Sequence, residues 1–258
     1  MIRKKESNSP VWKLHRQLKD RAGSGIMAKK RGGTMEHQLK HPYTAVRDGA
    51  VRTYGGNQNR SARWDLRRCG CGVIAMADLA LYLKRYHGCD GPDLPDPVPL
   101  EDYDQLCSSL QLKYLPMLPP VGINGIGLAM GLDLYFRIHR IPLRAFWGVR
   151  AKNIWTAMAD MLDRDLPVIF SVGQNIPRVW ENHRLNLYRK SDSGVYTAVS
   201  RVRAHYMTVT AMDDTWLTVS SWGRQYFIHR GEYEEYGKNH SITLVNNLVW
   251  LKPISEKR

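Results

Sequence analysis

The stretch RCGCGVIAMADLALYLKRYHG, residues 68–88, decides the fold of this chain. Cys71-Gly72 opens it, residues 73–83 are apolar almost without interruption, and Lys84-Arg85 followed by Gly88 close it. Alanine and leucine favour helix, and cations followed by glycine are a helix stop signal. A helix that is apolar on nearly every side belongs in the interior, because a surface helix keeps one polar face. The pattern therefore predicts a central buried helix that begins at a cysteine. A thiol there meets the positive end of the helix dipole, which favours thiolate. Taken alone, Cys71 reads either as a structural core thiol, the commoner case, or as a nucleophile.

The 258 residues, 43% of them hydrophobic, supply one large core or two modest lobes without a disulfide staple. Four cysteines, Cys69, Cys71, Cys89 and Cys107, lack the paired spacing of a structural zinc site, so no metal and no cofactor are expected. The first residues are charged, and no run approaches the roughly 18 apolar residues of a membrane span. The expectation is a cytoplasmic protein with reduced thiols. Lys and Arg number 38 against 24 Asp and Glu, a formal charge of +14. Residues 1–48 alone carry 12 Lys and Arg against 4 Asp and Glu, so more than half of the excess sits in the N-terminal fifth. A basic leader, rather than a basic fold, makes nucleic acid an unlikely partner.

Residues 1–40 show little apolar periodicity beyond a short helix around 11–18 and read as a disordered leader, with Met27 and Met35 as internal candidate starts. Residues 41–258 read as one domain. From 43 to 68 the text is loop-like, with Gly55-Gly56 and Asn57 and a short strand-like AVRTY. Pro92, Pro95, Pro97 and Pro99 make a surface connection after the cysteine helix. Helices are expected over 100–112, over 122–139 packed on the first helix, and over 153–162 with Asn153 as cap; PVIFSV, 167–172, reads as a buried strand. The last third changes to short β-branched and aromatic runs, HYMTVTAM, WLTVSSW, RQYFIHR and TLVNNLVWL. Asp213-Asp214-Thr215 suits a hairpin turn, and the charged stretch 231–239 reads as a separator. Residues 174–202 read as a long loop. Helices first and an antiparallel sheet after give an α+β arrangement.

The order of a helix-borne Cys71-Gly72, a buried strand, His205 opening a strand and a hairpin ending Ser220-Ser221-Trp222-Gly223 resembles the papain-like cysteine peptidases, closest to the bacterial branch that processes bacteriocin leaders. The resemblance covers about residues 55–251. Cys71 and His205 lie 134 residues apart, within the roughly 130–150 of papain-type enzymes. It implies a helical N-terminal lobe around the cysteine helix and a C-terminal lobe of antiparallel sheet. It implies Cys71 as nucleophile with its pKa lowered by the helix terminus and an imidazolium partner, and His205 as general base. Trp222 would shield the histidine from water. The implied activity is a thiol hydrolase cleaving a peptide or amide bond through a thioester, with a peptide or protein as substrate. An acyl or peptidyl transferase and a catalytically impaired binding module are the alternatives.

Two positions depart from the family pattern. Ser220 stands where the orienting Asn belongs, so either serine completes the triad through the imidazole Nδ1, or Asp213 or Asp214 substitutes, or catalysis is impaired. Asp65 stands six residues before Cys71, where an oxyanion-hole glutamine is expected, and its charge would repel an oxyanion. Gln58 is the nearest glutamine that a longer loop could deliver. Cys69 reads as a resolving thiol or a mere neighbour. Asp78, Asp133, His87, His139, His183, His229 and His240 show no ligand spacing and read as surface or satisfied core groups.

Overall fold

The computed structural model describes residues 29–31, 34–117, 119 and 121–254, so the expected helix at 11–18 lies outside the described residues. The chain folds as α+β with largely antiparallel sheets. Helix α1 spans Trp64–Cys69, and α2, Cys71–His87, follows it across the single residue Gly70. Residues on every face of α2 are buried, which is why its sequence has no polar stripe. Gly88 ends it in a left-handed conformation (φ 62°) and returns a hydrogen bond to the Leu83 carbonyl, the stop that its sequence announced.

Helix α3, Leu100–Tyr114, packs along α2; α4 is Gly125–Ile138 and α5 is Ile154–Asp163. The close packing expected of α4 is found, but against a different neighbour. A Cβ on Gly131 would come within 2.4 Å of the Tyr114 carbonyl, so α4 rests on the end of α3, with strand β6 (Leu143–Trp147) beside it. Asn153 sits at the N-cap of α5 but makes no side-chain capping bond.

The short strands β1 (Lys29–Arg31), β2 (Thr34–Gln38), β3 (Val46–Asp48), β4 (Val51–Arg52) and β5 (Val98–Pro99) precede β6. Strand β7 is Val168–Val172, β8 Leu185–Lys190, β9 Tyr196–Val202, β10 His205–Met212, β11 Trp216–Ser221, β12 Arg224–His229 and β13 Val249–Pro253. The main sheet runs β1-β2-β10-β11-β12-β8-β9, and β7 pairs with the same edge of β10 as β2 does, further along it. β7 is buried at every position, as PVIFSV implied. The β10–β11 hairpin turns at Asp213, whose carboxylate accepts from the amides of Thr215 and Trp216, both at 2.7 Å. α2 lies across β10, so the helix that carries Cys71 and the strand that begins at His205 are direct neighbours.

Four expectations change. Residues 34–38, read as leader, form a strand of the main sheet, and His37 and His41 fix that end through Asp163 (2.9 Å) and Asp165 (2.6 Å). The span 174–202 contains the β8–β9 hairpin, which widens the sheet. The charged stretch is helix α6, Arg230–His240, anchored by buried Tyr233 and Tyr236 three residues apart on one face. Of TLVNNLVWL only the end is strand. No helix among the described residues is long and apolar enough to cross a membrane.

Candidate functional site

Cys71 occupies the first turn of α2 and His205 the first position of β10. Together with Gln58, Asp78, Ser220 and Ser221 they line one cavity of about 20 Å³, room for about one water. These residues come from three distant parts of the chain, and the contact of α2 with β10 brings them together. Gly72 has a steric reason to follow the cysteine. A Cβ there would lie 3.0 Å from the Ile123 side chain and 3.4 Å from the Tyr206 ring, so a larger residue would displace α2 from β10.

His205 is buried and its Nε2 lies 2.8 Å from the Ser221 hydroxyl. The partner is therefore Ser221, not Ser220, and the nitrogen engaged is Nε2, not Nδ1. Ser220 instead donates to the Tyr54 carbonyl at 2.8 Å and pins the loop that leads to Gln58. Asp213 and Asp214 sit in the turn at the far end of β10, more than about 20 Å of strand from His205, so neither orients it. Trp222, in a left-handed conformation (φ 49°), stacks on the imidazole with ring centroids 4.8 Å apart.

Gln58 opens a single 3₁₀ turn, Gln58–Arg60, and its side chain is buried. Its Nε2 donates to the Arg67 carbonyl at 3.0 Å, which uses one of two amide hydrogens and leaves the other. The loop is clamped from both sides. The Gly56 amide donates to both Asp78 oxygens at 3.1 Å, and the Gly223 amide donates to the Gly56 carbonyl at 2.9 Å. A Cβ on Gly55, which has φ 75°, would meet the Ser220 hydroxyl at 2.3 Å and Asp78 at 2.6 Å, so only glycine fits there.

Asp78 is the satisfied core group its sequence context suggests: Tyr103 and Tyr43 donate to it at 2.7 and 3.0 Å. It also belongs to the cavity. The signal that could have placed it there is its spacing of seven residues from Cys71, two helical turns along one face. With no cation on it, burial raises its carboxyl to about 6 despite those donors.

The resting charge state differs from the expected thiolate–imidazolium pair. Burial pushes the Cys71 thiol up, and the backbone N–H groups of Tyr206 and Gly72 offset this only in part. Burial also brings the His205 imidazole down to about 4. Both groups are neutral near pH 7. Asp65 is remote from the difficulty anticipated for it. Arg63 grips it at 2.7 and 3.1 Å, Gln111 donates to it at 2.7 Å, and it does not line the cavity. The Cys69 thiol donates to the Asp65 carbonyl at 3.1 Å, and all four cysteines are free.

No family model matches the chain, and no curated protein and no solved structure matches it either.

Proposed function

We propose that this protein is a papain-like thiol hydrolase, a cysteine peptidase that cleaves a peptide or amide bond, with Cys71 as nucleophile and His205 as general base. The observation that carries the proposal is the convergence of Cys71, His205, Ser221 and Gln58 on one cavity. A nucleophile, a base within reach, a group that fixes the base and an amide donor beside the thiol are the parts that acyl transfer needs.

The chemistry follows from the neutral resting pair. As sulfur attacks the carbonyl carbon, its proton passes to the imidazole, and the carbonyl π electrons move to oxygen. In this reading the second hydrogen of Gln58 Nε2 and the Cys71 backbone N–H at the start of α2 hold that oxyanion. Collapse of the intermediate breaks the C–N bond, and the imidazolium gives its proton to the departing amine. Water, deprotonated by the same imidazole, then releases the acid from the Cys71 thioester. An amine in place of water makes the same site a transferase.

A second reading, a binding module that retains the fold without turnover, is favoured by the raised thiol and by a serine hydroxyl, rather than an amide or carboxylate, on the imidazole nitrogen. Alkylation of the native protein by iodoacetamide, located by mass spectrometry across pH, separates the two. The hydrolase reading expects Cys71 to label faster than Cys69, Cys89 and Cys107 near neutral pH, with labelling slowed in His205→Ala. Labelling that rises only with an ordinary thiol titration and ignores His205→Ala supports the binding module.

A further inference from the structure

Beside the segment between β7 and β8, three side chains with no regular spacing meet. One potential ligand atom from each of Glu181, His183 and His240 lies within 4.8 Å of the other two. The two imidazoles stack with centroids 3.7 Å apart, and Glu181 Oε2 lies 3.1 Å from His183 Nε2. His240 Nδ1 is buried and has no hydrogen-bond partner among the described residues. A buried polar atom left unpaired costs about 1–3 kcal/mol, so this one needs an explanation.

The backbone around the three residues is held more firmly than a surface loop requires. Fully buried Asn175 donates through one side-chain nitrogen to the carbonyls of His183 and His240, both at 3.3 Å. Arg203 donates to the Asn175 oxygen at 3.3 Å and also to the Glu181 carbonyl. One Asn–Arg pair thus fixes all three residues, although they come from the segment between β7 and β8 and from the end of α6. Two imidazole nitrogens and one carboxylate are a ligand set for zinc-type divalent cations. Ligand atoms around a tetrahedral zinc lie about 3.4 Å apart, given metal–nitrogen bonds of about 2.1 Å. Small rotations of the exposed His183 ring and of the Glu181 carboxylate close the remaining gap.

We propose that Glu181, His183 and His240 form a binding site for one zinc-class divalent cation, with solvent completing the coordination. The cation cross-links the β7–β8 segment to the last turn of α6. Because His183 is half exposed, the ion has a route in. The proposal is independent of the chemistry at Cys71.

Calorimetric titration of the full chain, stripped with chelator, with zinc chloride tests it, and cobalt absorption reports the ligand type. One equivalent is expected. His183→Ala and His240→Ala should each weaken it by more than the roughly 10–100-fold that follows loss of an outer-shell partner. Glu181→Gln, a change on the surface that preserves shape, should weaken it as well, which guards against a variant that fails to fold. Cobalt should give visible ligand-field bands without a thiolate charge-transfer band. The proposal is overturned if no equivalent binds, if binding survives all three substitutions, or if the cobalt spectrum shows thiolate and binding is lost in Cys71→Ser.

Discussion

Asp65 and Asp78 are both buried aspartates within seven positions of Cys71, and their surroundings drive them in opposite directions. Asp65 lies between α1 and α3 with a guanidinium on it, and that hydrogen bond from Arg63 holds its carboxyl far below the usual range despite burial. Asp78 lies under the cavity with two phenols and one amide, and burial wins, raising it to about 6. Hydrogen-bond donors without charge satisfy a carboxylate's geometry but do not replace its lost hydration. The same rule governs Cys71 and His205, which have no charged partner and rest neutral. The α1–α3 contact is built for cohesion, whereas burial in the cavity shifts its titratable groups toward their uncharged forms.

The largest effect expected from breaking this contrast is on the pH dependence of stability. Asp78 has a raised folded pKa, so its contribution is fully present below about pH 4 and is lost as pH rises through about 6. His205 has a depressed folded pKa, so its contribution is present above about pH 6.5 and is lost as pH falls through about 4. The two slopes oppose each other across one window. Asp78→Asn removes one of them, and its stability relative to the parent should fall by about 3 kcal/mol from pH 8 down to pH 3. Urea unfolding at a series of pH values measures this, and parallel profiles would refute the assignment. Next in size, Arg63→Met turns Asp65 into a second Asp78. Loss of the partly exposed guanidinium from this buried carboxylate should cost about 2 kcal/mol at pH 7, a deficit that shrinks in strong acid as the carboxylate is protonated.

Smaller effects sharpen the cavity side of the contrast. Ser221→Ala should lower kcat/KM for a peptide substrate about tenfold, equivalent to about 1.4 kcal/mol of transition-state stabilisation, with folding unchanged. Ser220→Ala should act the other way round. It costs about 1 kcal/mol of stability through the freed Tyr54 carbonyl and leaves the His205 titration in place, as NMR of the imidazole would register. Equal losses of activity in the two variants would mean that the hydroxyl on His205 has no positioning role.

The difference between Ser220 and Ser221 marks where the sequence stopped being readable. Cys71, His205 and the core helix announce themselves locally, through composition, a glycine neighbour and a stop signal. Which of two adjacent serines faces the histidine depends on strand parity, and one residue exchanges the faces. That parity is fixed by pairing Thr208 with Ser220 and by a register shift between Val209 and Ala211, long-range facts with no local signature. α1 is only six residues long and half of them are charged, too short for its period to show. α6 contains two glycines, and its paired tyrosines find their meaning only against the sheet. His183 and His240 are 57 positions apart, so their contact had no spacing to betray it. Expected charge states failed for a related reason: a helix start and a histidine can be read from letters, but desolvation is a property of the assembled interior.

The indole of Trp222 stacked on His205 gives this site an optical voice. A protonated imidazole quenches the emission of an adjacent indole far more strongly than a neutral one. Near neutral pH the ring is uncharged, so Trp222 should glow. The difference in emission between the parent chain and Trp222→Phe separates its signal from the other seven tryptophans. Any event that parks a proton on His205, such as acidification through about pH 4, then becomes visible as a dimming, in real time and without a substrate dye.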